Sequence, residues 1–373
     1  MIYFDNAAST PVEPEVTQLV HDLMRDNYGN PSSLHEPGRR SRVVIEEARK
    51  TIAELLGVSS SEIVFTSGGT EANNHILWSC FLDLKIQHFI TSPLEHPAVL
   101  NTLKNISNHF DIKISYVNIN SQGHIDIEHL DHILKNSPLT LVSLMHANNE
   151  IGNLLPVNQV KKLCDNHKAL FHSDTVQTIG KYQMDLHSLG FDFAVASAHK
   201  FHGPKGVGFS YINSDKELKS FITGGMQERD LRAGTENIYC IAGMALALEI
   251  AMKDIKENQK HISNLKSRLI GKITRELPEI EFYGDEKKEG LYSIINLKLP
   301  QTEHSEMLPI KLDIEGIAVS GGSACSSGSN KPSHVISPLD PEEARPSLRV
   351  SFSKFNTTKE IDVFVETLKN IYL

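Results

Sequence analysis

The sequence is poor in features that mark several classes of protein. It has only four cysteines, widely separated and without a Cys-x-x-Cys pair, which argues against a disulfide framework and a structural zinc site. It has no block of Lys or Arg and a net charge of −9, so the basic surface typical of nucleic-acid-binding proteins is missing. The composition therefore predicts no direct contact with nucleic acid and no metal site.

Long apolar runs are missing as well. None reaches the roughly 18 residues that a membrane-spanning helix needs. The nearest candidate, Ile241 to Met252, is too short and contains Glu249. The first residues have neither the basic segment nor the apolar segment of a secretory signal. We therefore expect a soluble cytoplasmic protein that does not act at a membrane.

What is present is the composition of a globular protein. The chain of 373 residues is 40% hydrophobic and 22% charged, which is enough to bury a full core. Its length allows two domains or one large α/β unit.

Short β-rich runs alternate with helical patterns between about residues 60 and 212. The predicted strands are Ile63–Thr66, His88–Thr91, Lys113–Val117, Leu139–His146, Ala169–His172, Asp192–Ala196 and Val207–Tyr211. The predicted helices between them are Thr70–Phe81, Ala98–Ile106, Ile127–Leu134 and Val157–His167. This alternation is typical of a mostly parallel sheet covered on both faces, whose ligands lie beyond the carboxyl ends of the strands.

The rest of the chain predicts a second, smaller α/β domain. A long helical stretch from Glu236 to about Glu276, broken once, leads from the sheet region into it. We predict a large domain over 1–255 and a small domain over 256–373, with residues 1–15 packing with the small domain. The Gly- and Ser-rich segment 320–333 predicts a mobile loop.

The loop Ser67–Asn73 follows a predicted strand and opens a helix. Free N–H groups at a helix start, closely approaching glycines and a threonine hydroxyl form a cradle suited to a phosphate. An ordinary turn with Thr70 as helix cap explains the same residues equally well. Because GxGxxG and Gly-Lys-Ser/Thr patterns are missing, the loop does not indicate a nucleotide.

Two further loops carry an acid and an amine at strand ends. Asp174 follows an apolar strand, where capping a helix is the ordinary role and binding a cation is the alternative. Lys200 follows another buried strand, and partial desolvation there would free its amine for nucleophilic work. His199 and His202 lie three residues apart, but without a third ligand at suitable spacing they do not predict a metal. A phosphate cradle, an Asp and a Lys in this order are what pyridoxal 5′-phosphate (PLP) requires.

Many segments together resemble one known family from end to end. The chain resembles the NifS/IscS-like cysteine desulfurases of aminotransferase class V, which are fold-type I PLP enzymes with a seven-stranded, mostly parallel sheet in the large domain. The resemblance is carried by Tyr3–Ala8, Gly29–Ser33, Thr66–Glu71, Glu95–Leu100, Asn148–Gly152, His172–Asp174, Ser197–Lys200, Arg232–Asn237, Gly322–Cys325 and Ser347–Ser351.

The resemblance implies roles around the cofactor. Lys200 would carry the PLP covalently and later move the substrate's Cα proton, and Asp174 would pair with the pyridine nitrogen. His96 would stack on the ring and serve in acid–base catalysis, and Gln177 would donate to the phenolate oxygen. The residues implied to hold the phosphate are Gly69, Thr70, Ser197 and His199, joined by Thr235 from the second subunit of a homodimer.

The resemblance also implies how the substrate, L-cysteine, is bound and used. Asn148 would orient the ring oxygen and the substrate, and Arg349 would bind the substrate carboxylate bidentately. Cys325, on the small-residue loop, would take the sulfur as a persulfide and release L-alanine. The sulfur would then pass to an iron–sulfur cluster scaffold or to a tRNA-thiolating enzyme.

Three alternative functions stay open. A selenocysteine lyase or another class V aminotransferase would share the fold, although a transaminase does not need Cys325. A non-catalytic cofactor-binding module would be expected to lose working residues, and these are all present. A cysteine hydrolase using Cys325 and His334 would leave Asp174 and Lys200 unexplained.

Overall fold

The computed structural model describes residues 1–137, 139–285, 290–302, 305, 307–321, 333–343 and 345–372. Cys325 and most of the predicted loop over 320–333 lie outside these residues. The strands are β1 (Ile2–Tyr3), β2 (Ile63–Thr66), β3 (His88–Thr91), β4 (Lys113–Tyr116), β5 (Thr140–Ser143), β6 (Leu170–Asp174), β7 (Phe193–Ser197), β8 (Gly208–Ile212), β9 (Glu281–Tyr283), β10 (Ile294–Lys298), β11 (Ile317–Ala318) and β12 (Ser347–Ser351).

The helices cover the sheets and connect the strands. They are α1 (Pro14–Asp26), α2 (Glu36–Leu55), α3 (Gly69–Leu82), α4 (Pro97–His109), α5 (Ile127–Leu134), α6 (Val157–His167), α7 (Leu186–Leu189), α8 (Ile238–Lys253), α9 (Ile255–Glu276), α10 (Leu308–Ile314) and α11 (Thr358–Tyr372). The break predicted in the long helical stretch falls at Asp254, between α8 and α9.

Within the described residues, one sheet has seven strands in the order β2-β8-β7-β6-β5-β3-β4. Strand β8 runs antiparallel to both of its neighbours, and the other neighbouring pairs are parallel. The predicted mostly parallel sheet is confirmed. Because β6 and β7 are parallel neighbours, their last residues, Asp174 and Ser197, lie at the same edge of the sheet.

The second part of the chain builds its own core. Strands β12, β10 and β9 form an antiparallel sheet, packed with apolar residues of α9, α10 and α11. Phe4, which is fully buried, belongs to the same core, and its ring lies 5.5 Å from that of Phe352. The domain boundary near residue 255 stays a prediction.

The first residues of the chain join the two parts. Strand β1 pairs in parallel with β11, far along the sequence. Beyond β1, the Ala7 N–H donates to Ser351 Oγ at 2.8 Å, and Asn6 Nδ2 donates to the Ser351 carbonyl at 2.9 Å. The segment that contains Ala7 and Ala8 is thereby fixed between the seven-stranded sheet and β12.

In the described part of the chain, no helix combines the length and the apolar character needed to cross a lipid bilayer.

Candidate active site

A cavity of about 220 Å³ opens at the carboxyl ends of β6 and β7. It brings together most of the residues that the sequence predicts for the site. Those that line it are Gly69, Thr70, His96, Asp174, Gln177, Ser197, His199, Lys200 and Arg349. The other lining residues are Ala7, Ala8, Asn73, Pro97, Met145, Asn149 and Val176.

One wall of the cavity is the start of α3. Gly68, the residue before the helix, offers no side chain to cap the first N–H groups. A Cβ atom at Gly69 would lie 2.7 Å from Val176 Cγ2, so only glycine fits without movement. Uncapped N–H groups at a helix start attract an anion, and the helix dipole adds to that attraction. This wall therefore fits a phosphate group.

Asp174 is held rigidly at the end of β6. Its side chain is buried, Oδ2 accepts a hydrogen bond from Asn73 Nδ2 at 2.8 Å, and Oδ1 accepts one from the Val176 N–H at 3.1 Å. The two hydrogen bonds fix the orientation of the carboxylate, which could then face a protonated ring nitrogen. The sequence interpretation gave Asn73 no role. Its spacing of four residues from Gly69 on the same helix could have indicated it.

Lys200 lies on the short 3₁₀ helix Ala198–Lys200 that follows β7. Its Nζ donates to the carbonyl oxygens of Ala7 and Ala8, at 2.6 and 2.8 Å. The amine is thereby held beside the cavity, where a covalently bound cofactor would need it.

The two cavity histidines are both driven toward the neutral form. His96 Nδ1 accepts from the Ala98 N–H at 3.1 Å. Burial lowers the pKa of His96, while nearby Asp174 opposes that shift. Burial, with help from Lys200, lowers the pKa of His199 to about 4. Because Nδ1 accepts this hydrogen bond, a neutral His96 carries its proton on Nε2, so its ring can stack on a cofactor and present an N–H group to the cavity.

Arg349 brings a buried cation to the cavity from β12. Its side chain is 1% exposed, with Nη2 donating to Asp5 Oδ1 and Nη1 to the Asn149 carbonyl, both at 2.9 Å. Its Nε lies without a hydrogen-bond partner among the described residues. A buried guanidinium that keeps an unused N–H group is suited to bind a carboxylate.

Asn148, predicted to orient the ring oxygen and the substrate, makes its hydrogen bonds away from the cavity. Its Nδ2 donates to the Leu94 carbonyl at 2.9 Å, and its Oδ1 accepts from the N–H groups of Glu150 and Ile151. The side chain therefore stabilises its own loop and does not line the cavity. Asn149, the next residue, does line it. Adjacent asparagines carry no sequence signal that tells which one faces a ligand.

Two other predicted residues do not line the cavity. Thr235 is exposed and belongs to a separate cavity of about 230 Å³, shared with Ser67 and Gly206. Within one chain it does not reach the phosphate cradle beside Lys200. Cys325 lies outside the described residues, so its prediction is not tested by the geometry.

The residues of the cavity fit PLP as a set. The start of α3 suits its phosphate, Asp174 suits its ring nitrogen, and Lys200 supplies the amine that this cofactor requires. The space of about 220 Å³ lies between them.

The chain is similar to known proteins along almost its whole length. Residues 2–364 match the family model of the class V aminotransferases. A cysteine desulfurase IscS of Dictyoglomus turgidum is 37% identical over 374 residues, covering 99% of this chain and 94% of that protein. The solved structure of a NifS-like protein has a TM-score of 0.91 at 36% identity, covering 100% of this chain and 99% of the other. A structure of SspA in complex with cysteine has a TM-score of 0.82 at 29% identity, covering 96% and 100%.

The chain therefore belongs to the class V aminotransferase family. Within that family, its full-length similarity places it among the IscS- and NifS-like cysteine desulfurases.

Proposed function

We propose that this protein uses bound PLP to remove sulfur from L-cysteine and leaves that sulfur as a persulfide on Cys325. One observation carries the proposal: Asp174, Lys200 and the uncapped helix start at Gly69 open into the same cavity. When bound there, PLP supplies an electron sink for bonds at the substrate's Cα. The alternatives that lack PLP have no use for this combination.

The described residues divide the work of binding and proton transfer. The first turn of α3 binds the phosphate, with Ser197 and His199 beside it. Asp174, fixed by Asn73, holds a proton on the ring nitrogen. Lys200, once its amine is free, moves the Cα proton of the substrate. His96, in its neutral form, lines the same cavity and is the second acid–base group.

Substrate binding falls to Arg349 in this proposal. Its buried guanidinium would bind the carboxylate of L-cysteine, while the Asn149 carbonyl and Asp5 keep it in position. The relative SspA, whose solved structure contains cysteine, supports this choice of substrate.

The sulfur step balances without an added oxidant. The Cβ–S bond of L-cysteine breaks, an S–S bond to the Cys325 sulfur forms, and the carbon skeleton leaves as L-alanine after taking up protons. A thiolate at Cys325 is the required nucleophile. We further propose, from the family resemblance, that an iron–sulfur scaffold or a tRNA-thiolating enzyme accepts the sulfur.

We also propose a homodimer in which Thr235 completes the phosphate site of the second subunit. The exposed position of Thr235 supports this, as do the large apolar side chains of Met226 and Leu34, which are 82% and 89% exposed. A mixture of Lys200→Ala and Thr235→Ala chains tests it. Mixed dimers should regain one intact PLP site, whereas Lys200→Ala chains alone should regain none. Full activity of a monomer in sedimentation would contradict the proposal.

The function itself is tested by two covalent marks. Borohydride reduction of the PLP-loaded protein, followed by peptide mapping, should find the cofactor on Lys200. The control variant Lys205→Ala, which removes an exposed lysine nearby, should still carry the cofactor on Lys200. After incubation with L-cysteine, mass spectrometry should find one added sulfur atom on Cys325. Sulfide release by a Cys325→Ala variant at the wild-type rate would rule out the persulfide.

A further inference from the structure

Lys181 is a buried cation near the cavity that has no role in the proposed reaction. It follows Gln177 by four residues, in the turn after β6, and its Nζ donates to Gln177 Oε1 at 2.9 Å. On the other side of the same amide, Gln177 Nε2 donates to the Ala7 carbonyl at 3.0 Å. The Ala7 carbonyl also accepts the Lys200 amine, so one network joins the two lysines.

A glutamine amide can turn over, exchanging its oxygen and nitrogen with almost no change in shape. Its neighbours must therefore decide which end faces which way. A lysine ammonium has three donors and no acceptor, so it can only face the amide oxygen. We propose that Lys181 is a positioning residue that directs the NH₂ group of Gln177 toward Ala7 and the cofactor cavity.

The consequence lies at the bound cofactor, and this inference rests on the proposed PLP site. Gln177 is 3% exposed and lines the cavity. The end of its amide that faces the cavity therefore contacts the bound cofactor. When its NH₂ group faces the cavity, Gln177 can donate a hydrogen bond to the phenolate oxygen of the cofactor. If the amide were turned over, its oxygen would face the cavity and would repel both the phenolate oxygen and the Ala7 carbonyl oxygen.

The position is an unfavourable one for a cation. Burial, together with Lys200 and Arg349, lowers the pKa of Lys181 to about 7, so the amine is an ammonium that can only donate below that pH. The hydrogen bond to Gln177 offsets part of this cost. The main chain of Lys181 is also held in place, because its carbonyl accepts from Tyr292 Oη at 3.0 Å and from Gln259 Nε2 at 2.8 Å.

Four variants test the inference: Lys181→Met, Lys181→Arg, Gln177→Ala and the double variant Lys181→Met/Gln177→Ala. The readouts are the dissociation constant of PLP from the apo-protein and the absorption maximum of the bound cofactor. Lys181→Met should weaken PLP binding roughly tenfold and shift the absorption maximum, because one charge-supported hydrogen bond no longer orients the amide. Lys181→Arg keeps the charge and the donors. Its PLP affinity and its absorption maximum should therefore lie between those of Lys181→Met and the wild type.

The double variant separates positioning from a general structural effect. If Lys181 acts through Gln177, Lys181→Met should add nothing on the Gln177→Ala background. Equal changes on both backgrounds, or wild-type affinity and spectrum in Lys181→Met, would overturn the inference. Lys205→Met, at an exposed lysine, should match the wild type throughout.

Gln177→Glu covers the case in which Lys181→Met does not fold. The carboxylate keeps an acceptor for Lys181 but has no NH₂ group, so it should weaken PLP binding and shift the spectrum. Wild-type binding by Gln177→Glu would overturn the inference. A wild-type protein that takes up no PLP would overturn the proposed function as well, whereas a normal wild type with an unaffected Lys181→Met removes only the role of Lys181.

Discussion

Asn73 donates a hydrogen bond of 2.8 Å to the carboxylate of Asp174, from a residue 101 positions earlier in the chain. The bond ties α3, whose start is the proposed phosphate site, to the end of β6. One helix thus provides both the proposed phosphate site, at its start, and the hydrogen bond that orients Asp174.

Replacing Asn73 by Ala should weaken PLP binding roughly tenfold, because Asp174 loses a hydrogen bond that orients its carboxylate. Titration of the apo-protein with PLP measures the change. Asn74→Ala is the matched control, since Asn74 lies next on the helix and, among the described residues, donates to the Thr70 carbonyl and not to Asp174. Equal losses in both variants would show that the helix, and not the contact with Asp174, is responsible.

Gly69→Ala should reduce PLP affinity by about tenfold or more, because the new methyl group would lie 2.7 Å from Val176 Cγ2 and displace the cradle. The double variant Gly69→Ala/Val176→Ala should recover most of the affinity, since the crowding atom is gone. Fluorescence titration with PLP measures both. A double variant as weak as Gly69→Ala would contradict the steric explanation.

Arg349→Lys should raise the KM for L-cysteine roughly tenfold or more and change kcat less, because lysine cannot bind a carboxylate with two parallel N–H groups. Steady-state measurement of alanine release gives both constants. Arg268→Lys, at an exposed residue paired with Asp362, should leave them unchanged. A fall in kcat at unchanged KM would argue against substrate binding by Arg349.

Acid should destabilise the fold through the buried His172. Burial lowers the pKa of His172 to about 3. Between pH 6.5 and pH 3, this histidine is therefore protonated in the unfolded chain but neutral in the folded chain. The free energy of unfolding should then decrease as the pH falls. From pH 7 to pH 5 the wild type should lose about 2 kcal/mol more than His172→Asn.

Urea unfolding of the apo-protein at the two pH values measures this difference. His146 and His88, whose pKa values are also lowered to about 4, contribute equally to both proteins and cancel. His21→Asn, at a residue on the surface of α1, should show the wild-type loss. An identical loss in His172→Asn would refute the linkage.

The core strands of the sheet are predictable from the sequence because their buried runs are short and rich in apolar and β-branched residues. β2 and β3 have the predicted bounds, Ile63–Thr66 and His88–Thr91. β5 was predicted over Leu139–His146 and is shorter, Thr140–Ser143. At the start of β5, Leu139 has a left-handed φ of 44°, which a hydrophobic pattern does not reveal. At its end, apolar residues continue in the sequence beyond Ser143, the last residue of the strand.

The site was predictable only as far as its motifs carry local signals. Asp174 and Lys200 follow buried strands, so their place at the sheet edge could be foreseen. The contacts of Asn73 with Asp174 and of Arg349 with Asp5 join positions 101 and 344 residues apart, and only the fold brings them together. The choice between Asn148 and Asn149 depends on the turn geometry, which their identical side chains do not encode.

The hydrogen bonds from Asn6 and Ala7 to Ser351 have a consequence for biosynthesis. A ribosome makes the carbonyl of Ala7 first, the amine of Lys200 later, and β12, which fixes Ala7, later still. The nascent chain can form the seven-stranded sheet while the Ala7 segment still lacks its anchor. Stable capture of the proposed cofactor should therefore wait until β12 has been made, and chains stalled before residue 351 should remain colourless.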